Sequence, residues 1–379
     1  MKILWLTWKD GDNPLAGGAE VVNEELAKRL AADGHEVTFV VGGFAGSAHR
    51  VSRDGYRIVR VGGRFTTYLA AWGYYRRHRA KLSPDLVIDE CNTMPYFSAW
   101  YTGKPTLLFF HMLCRRIWFY EFPQPLSTIG WLVEPLYLRL LRRAPVVTVS
   151  ESSKRDLMRQ GFRGGDIHVI SEGIELAPLT SLAQATKFEQ PTLLSLGSIR
   201  PMKRTLDQIT AFELAKRRRP DLRLVVAGAP SGRYGQEVLR RIVASPYAAD
   251  IEYAGRVSPA DKLRLMCRAH AILVTSVKEG WGLIVTEAAS QGTPAIVYDV
   301  DGLRDSVRPG QTGLIAATNA PAALADRIIE LLADPARYDQ LREQAWAWSH
   351  QITFDRSYAD FCAVLDGLPL PQTELAADR

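Results

Sequence analysis

Cysteine is scarce in this 379-residue chain, and its four copies, Cys91, Cys114, Cys267 and Cys362, show neither C-x-x-C nor paired spacing. That excludes a zinc knuckle and a disulfide framework and fits a reducing compartment. Long apolar runs are missing as well. The first residues carry only the run I-L-W-L-T-W between Lys2 and Lys9, too short for a signal sequence, and nothing reaches the ~18 apolar residues of a membrane span. The chain is expected in the cytoplasm, peripheral to the inner face of the cell membrane. The dinucleotide fingerprint G-x-G-x-x-G is absent after the first strand-like run, which argues against a nicotinamide enzyme.

What is present is an ordinary globular composition, 47% hydrophobic, long enough for two domains at the rough prior of ~150 residues each. Charge is uneven. Up to Ala185 there are 23 Lys+Arg against 18 Asp+Glu, and from there on 24 against 23, so the net +6 sits almost wholly in the front half. Such asymmetry calls for a surface or partner.

Short Val/Ile/Leu runs alternate with amphipathic helical stretches: K-I-L-W-L-T, E-V-T-F-V-V, D-L-V-I-D, T-L-L-F-F-H and V-V-T-V-S, then T-L-L-S-L-G, R-L-V-V-A-G, I-E-Y-A-G, A-I-L-V-T-S and P-A-I-V-Y-D. The rhythm predicts an α/β fold of two Rossmann-like, doubly wound parallel-sheet domains, 1–180 and 190–348, joined by a linker within 173–190. Ligands of open α/β sheets bind beyond the carboxyl ends of the strands, and in two-domain proteins between the domains, so the candidate site faces the linker.

The most informative segment is K-E-G-W-G-L-I-V-T-E-A-A-S-Q-G-T-P-A-I-V at 278–297. A strand-length run precedes it and a helix-compatible run follows the Gly280-Trp281-Gly282-Leu283 turn. The first N–H groups of that helix are left to meet a phosphate or a sugar hydroxyl. Eight residues advance about two helical turns, so Glu287 falls under the turn on the face that Glu279 introduces, and paired carboxylates suit vicinal hydroxyls. This segment resembles the E-x7-E signature of glycosyltransferase family 4, retaining nucleotide-sugar transferases of the GT-B fold, with Trp281 where the family more often has Phe or Tyr. The resemblance covers nearly the whole chain. It implies a helix at about 350–366 crossing back onto the first domain; the tail at 367–379 is expected to be loose.

In S-L-G-S-I-R-P-M-K-R-T, at 195–205, cations cluster where a helix begins, against the helix dipole, a conflict that a bound diphosphate would resolve. The family pattern G-R-x-x-x-x-K-G is matched by Gly197 and Lys203, but Ser198 stands at the usual arginine, and Arg200 is the candidate replacement. Gly228 and the pair Arg256-Val257 follow further strands on the same presumed edge, where the resemblance implies donor contacts. In the front domain Gly17, Gly18 and Glu20 open a helix beside the acceptor or a phosphate; Glu20 either caps acceptor hydroxyls or sits at the helix dipole. His111 ends a strand, where the resemblance implies a histidine against the transferred sugar.

The stretch 72–81 interleaves aromatics with Arg76, Arg77, Arg79 and Lys81, and an apolar stretch ends in Arg139, Arg142 and Arg143. Anionic lipid fits both, nucleic acid less well. D-V-D at 299–301 is read as a loop of the donor side; no metal and no other cofactor is expected. The combined expectation is a hexosyltransferase moving sugar with α-linkage from a UDP- or GDP-linked donor to a glycan, lipid-linked acceptor, with Glu279, His111 and Lys203 catalytic. The alternatives are a GT-B-type nucleotide-sugar epimerase and a non-catalytic sugar-nucleotide or nucleic-acid binding module.

Overall fold

The computed structural model describes residues 1–369. The expected loose tail therefore lies mostly outside the described residues. By contact, the chain divides into two compact units. The first comprises Met1–Cys114, Leu132–Ser171 and the chain from Phe354, and the second comprises Arg115–Trp131 and Glu172–Thr353. Residues 115–131, which the sequence reading kept in the front domain, group with the second unit.

The first unit is built on an eight-stranded sheet of order β3-β4-β2-β1-β5-β6-β7-β8, from β1 (Lys2–Leu6), β2 (Glu36–Val41), β3 (Arg50–Arg53), β4 (Tyr56–Arg60), β5 (Leu86–Glu90), β6 (Thr106–Phe110), β7 (Val146–Thr148) and β8 (Ile167–Val169). All pairs are parallel except β3 with β4. Helices α1 (Gly18–Ala32) and α2 (Thr67–Leu82) are among its covers. With both faces covered, the inner strands read as continuous apolar runs rather than as alternations. Trp5 is fully buried, with ring centroids of Phe39, Phe109 and Phe361 5.1, 5.9 and 6.1 Å away. Phe361 comes from the C-terminal helix Phe354–Asp366, which is fixed by Arg29 on Asp355 at 2.9 Å and by Tyr358 donating to Asp33 at 2.7 Å.

The second unit holds a fully parallel six-stranded sheet of order β11-β10-β9-β12-β13-β14, from β9 (Thr192–Leu196), β10 (Arg223–Ala227), β11 (Ile251–Gly255), β12 (Ala271–Val274), β13 (Ala295–Val297) and β14 (Gly313–Ile315). Helix α3 (Thr205–Lys216) follows β9, and α4 (Leu283–Ser290) follows β12. Neighbouring strands in this order are non-consecutive at β9 and β12, so the order reverses beside β9, where a crevice opens at the carboxyl edge.

Candidate functional site

Three strand ends of the second unit bring the expected donor residues to one edge. Lys203, in the turn after β9, places Nζ 2.5 Å from Glu279 Oε1, and Ser276 Oγ donates to the same oxygen at 2.5 Å. The turn is itself anchored, because Thr275 Oγ1 donates to the Lys203 carbonyl at 2.8 Å. Burial opposes charge on Glu279, but the Lys203 ammonium, hydrogen bonds from Lys203 and Ser276, and nearby Arg200 outweigh it. The carboxyl is held below its ordinary value. A small recess of about 10 Å³ is lined by Gly197, Ser198, Lys203, Ser276 and Ile284 among others.

Glycine is required twice here. A Cβ on Gly228 would stand 1.8 Å from the Gly197 carbonyl oxygen, so only glycine lets the turns after β9 and β10 touch. A Cβ on Gly302, at φ +83°, would stand 2.3 Å from the Glu279 carbonyl oxygen.

Glu287, on α4, is 4% exposed. Its Oε1 meets Lys262 Nζ at 2.7 Å, while its buried Oε2 has no hydrogen-bond partner. Burial raises its pKa against the pull of Lys262. The Trp281 Nε1 and Arg200 Nε atoms are likewise buried without partners. A buried orphan acceptor and two orphan donors among the donor-edge residues mark a place built for a polar ligand. Gly282, in the left-handed region, caps α4, whose first N–H groups face the turn.

The clustered cations separate once the side chains are traced. Arg200 pairs with Glu121 at 3.1 Å, a residue supplied by the 115–131 segment of the same unit. Arg204 pairs with Asp207 at 2.6 Å and lies over the Tyr298 ring, so it is spent on starting α3. Ser198 and Arg256 are exposed, and Val257 packs against the core behind β11. In D-V-D, Arg304 bonds both Asp299 and Asp301, the latter at 2.7 Å. Among the described residues no cluster of three or more His, Cys, Asp or Glu is arranged to hold a metal ion.

One residue of this edge escaped the sequence reading. Glu172, just after β8, is buried, and its pKa is pushed up to about 8 by burial and by the charges of Glu279 and Glu287. Its only sequence signal was a pair of acids, E-G-I-E, where periodicity fades.

In the first unit, Gly17 and Gly18 start α1, and Glu20 is consumed locally. It is 2% exposed, accepts from the Gly17 N–H at 2.6 Å, and meets Lys9 Nζ at 3.4 Å. The structure thus favours the helix-start reading of Glu20 over the one that gives it to acceptor hydroxyls. His111 follows β6, stacks on Phe109 at 4.7 Å, and accepts from Ser153 Oγ at its backbone carbonyl, 3.0 Å away. Burial lowers its imidazole to about 4, so the ring is neutral at physiological pH. Around it lie residues that no motif announced. Glu90, at the end of β5, accepts from Trp5 Nε1 at 3.2 Å, Asn23 Nδ2 at 2.6 Å and Asn92 Nδ2 at 2.8 Å. Burial and the nearby charge of Glu20 push it up to about 8, against the pull of Trp5 and Asn92 among others.

The family model described as Glycosyltransferase Family 4 matches residues 16–177, and the one described as Glycosyl transferases group 1 matches residues 181–348. Glycogen synthase of Mycobacterium tuberculosis (strain CDC 1551 / Oshkosh) is 26% identical over 365 residues, covering 89% of this chain and 87% of that protein. Sucrose-phosphate synthase from Thermosynechococcus elongatus superposes with a TM-score of 0.77 at 20% identity, over 97% of this chain and 98% of that one. The Anabaena protein Alr3699/HepE, solved in complex with UDP-glucose, gives 0.74 at 18%, over 97% and 100%. Two parallel-sheet α/β units and two adjoining family matches lead to one statement: the chain belongs to glycosyltransferase family 4 and is a glycosyltransferase of the GT-B fold.

Proposed function

We propose that the protein transfers a hexosyl group from a UDP- or GDP-linked sugar to a lipid-linked glycan acceptor, retaining the anomeric configuration to give an α-linkage. The observation that carries this reading is the Lys203–Glu279 pair beside the half-satisfied Glu287 on one sheet edge. An ammonium has three donors, so Lys203 can hold Glu279 and a phosphate oxygen together. Lys203, Arg200 and the N–H groups opening α4 stabilise the charge that grows on the departing diphosphate. Glu279 takes sugar hydroxyls, and the free Oε2 of Glu287 takes a ribose hydroxyl.

The bond from the anomeric carbon to the diphosphate oxygen breaks as the bond to the acceptor oxygen forms on the same face. The acceptor's proton passes to the leaving phosphate. No metal is needed in this scheme, because Lys203 and Arg200 neutralise the diphosphate and Arg304 already occupies both aspartates of D-V-D. That a structural neighbour was solved with UDP-glucose makes UDP donors the first to test.

The test is a thermal-shift screen of UDP, GDP and their sugars, with transfer assayed with and without a chelator. One nucleotide class should raise Tm, since a ligand at ~100 times its Kd adds about 2.7 kcal/mol, and turnover should survive chelation. The absence of any nucleotide shift overturns the donor assignment, and loss of turnover restored by manganese overturns the metal-free scheme.

A second observation favours a membrane-facing acceptor. Between Asp54 and Asp85 the chain has no acidic residue. Within that stretch Phe65, Leu69 and Trp72 are 75%, 76% and 41% exposed, with Arg64 over Phe65 and Arg76 over Trp72. Leu69, Trp72 and Arg76 share one face of α2, and Arg77, Arg79 and Lys81 are exposed on the same helix. An apolar, aromatic and cationic helix face fits an anionic phospholipid surface. No helix among the described residues is long and apolar enough to cross a membrane.

A further inference from the structure

The turn that carries Lys203 has a backbone conformation that its residues do not favour. Arg204, between the turn and α3, lies at φ +51°, ψ +43°, in the left-handed region that a residue with a Cβ occupies only at a cost in free energy. Its guanidinium pairs with Asp207, which fixes the residue to α3 but not the turn to the sheet. The ties to the sheet run through the segment after β12. Val277 N–H donates to the Met202 carbonyl at 2.8 Å, and Thr275 Oγ1 lies 2.8 and 3.2 Å from the carbonyls of Lys203 and Arg204. Those two carbonyls stand on either side of the Arg204 Cα, so one hydroxyl that reaches both constrains φ and ψ of that residue together. Thr275 is fully buried, and Gln208, on α3, is 5% exposed. Gln208 Nε2 reaches the Leu273 carbonyl at 3.2 Å and Thr275 Oγ1 at 2.9 Å. A carbonyl only accepts, so the amide nitrogen is the end that faces Leu273, and its second hydrogen goes to the Thr275 oxygen. With that oxygen accepting, the single hydroxyl hydrogen of Thr275 is turned toward the carbonyls of the turn.

We propose that Gln208, acting through Thr275, is a positioning residue for Lys203: the relay holds Arg204 in the left-handed region and so sets the turn from which Lys203 Nζ meets Glu279. The inference rests on the reading that Lys203 faces the leaving diphosphate, and it adds the device that aims the ammonium. Released, Arg204 relaxes toward negative φ, and a change of that size beside Lys203 swings the turn off the segment that follows β12. The ammonium then leaves the Glu279 oxygen that it shares with Ser276. Every residue of the relay belongs to the second unit.

The experiment uses the full chain and reads the turn apart from catalysis, by amide hydrogen exchange at Val277, whose N–H ties the strand end to Met202. Thr275→Val, of the same shape without the hydroxyl, should speed that exchange roughly fivefold, the factor to which the net worth of one hydrogen bond corresponds. It should also lower kcat for hydrolysis of UDP-glucose about tenfold with KM nearly constant, as for a misaligned group rather than a lost binding contact. Gln208→Met should do the same to a smaller extent, and Thr275→Ser, which keeps the hydroxyl, should retain the wild-type values. Arg204→Gly removes the Cβ that makes positive φ costly, so adding it to Thr275→Val should recover most of the lost turnover. Gln208→Met, with and without Arg204→Gly, carries the test if Thr275→Val fails to fold. Wild-type exchange and turnover in Thr275→Val overturn the proposal, as does a lack of recovery with Arg204→Gly. If exchange at Val277 responds as stated while Lys203→Ala turns over at the wild-type rate, the positioning device stands and the reading of Lys203 against the leaving group fails.

Discussion

Two carboxyl groups shielded from solvent, Glu279 in the second unit and Glu90 in the first, sit at the carboxyl ends of parallel strands and are shifted in opposite directions. Glu279 meets a lysine at 2.5 Å and is held below its ordinary value. Glu90 is ringed by an indole and two amides and rises to about 8. Desolvation acts in the same direction on both, so the deciding variable is the formal charge of the partner. The second unit is not uniform, because burial outweighs Lys262 at Glu287 and raises that carboxyl. Glu279 keeps its charge beside a cation; Glu90 is held by neutral groups.

The comparison breaks most sharply at Lys203. Replacing it with alanine removes the cation proposed to face the leaving group and strands a largely desolvated carboxylate. Turnover in single-turnover transfer should fall by ~10²–10³, the range for loss of one oxyanion-stabilising donor, while circular dichroism stays that of a folded chain. Wild-type turnover from a folded Lys203→Ala protein would remove Lys203 from the chemistry.

Next in size is the response to pH, where the two units should slope in opposite directions. Glu90 binds its proton more tightly folded, at about 8, than at its ordinary 4.5. The stability it confers is complete below 4.5 and declines as pH climbs from there to 8, by at most ~1.4 kcal/mol per pH unit. Glu279 is shifted down, so its contribution is complete above 4.5 and is lost as pH falls below that. Glu172, raised to about 8, and Glu287, also raised, add slopes of the first unit's sign within the second unit; the contrast is therefore read in a Glu172→Gln, Glu287→Gln background. Amide hydrogen exchange, corrected for intrinsic rates, should show β5 loosening between pH 5 and 8 while Glu90 is present, and the substitution Glu90→Gln should abolish that pH dependence. Equal slopes with and without the substitution would mean that Glu90 is ionised in the fold.

What the sequence revealed follows the same division. The expected donor edge was readable because its residues are close in the chain: Glu279, the Gly-Trp-Gly turn and Glu287 make one strand-turn-helix, and Lys203 sits in another. The alternating runs gave both parallel sheets for the same reason. The polar cluster was not readable. Glu90 is 67 residues from Asn23 and 85 from Trp5, and Asn23 is 88 from His111. They meet only because β1, β5 and β6 are adjacent in the sheet and α1 covers them. In sequence, Glu90 is simply the last letter of a strand-like run. Arg204 shows the converse, since it belongs to the same cluster of cations by position, and only side-chain geometry revealed Asp207 as its partner.

The smallest effect concerns cations that have no carboxylate near them in the chain. Arg218, in the second unit, is exposed but held by Asp326 at 2.7 Å, so its field is largely cancelled at a surface. Arg76, on α2, lies over Trp72 in a stretch without acids and adds its whole charge to any anionic surface the helix meets. A basic side chain near such a surface contributes about 1 kcal/mol, so Arg76→Ala should weaken binding to vesicles of phosphatidylglycerol and phosphatidylcholine roughly fivefold, and Arg218→Ala should leave it unchanged. Binding should vanish on pure phosphatidylcholine and weaken with salt, because exposed charges are screened beyond ~10 Å at 0.1 M. Equal binding to neutral vesicles, or equal loss from the two variants, would detach α2 from the lipid reading. A concentration-dependent dimer that Trp72→Ala abolishes would hand the same face to a second copy of the chain.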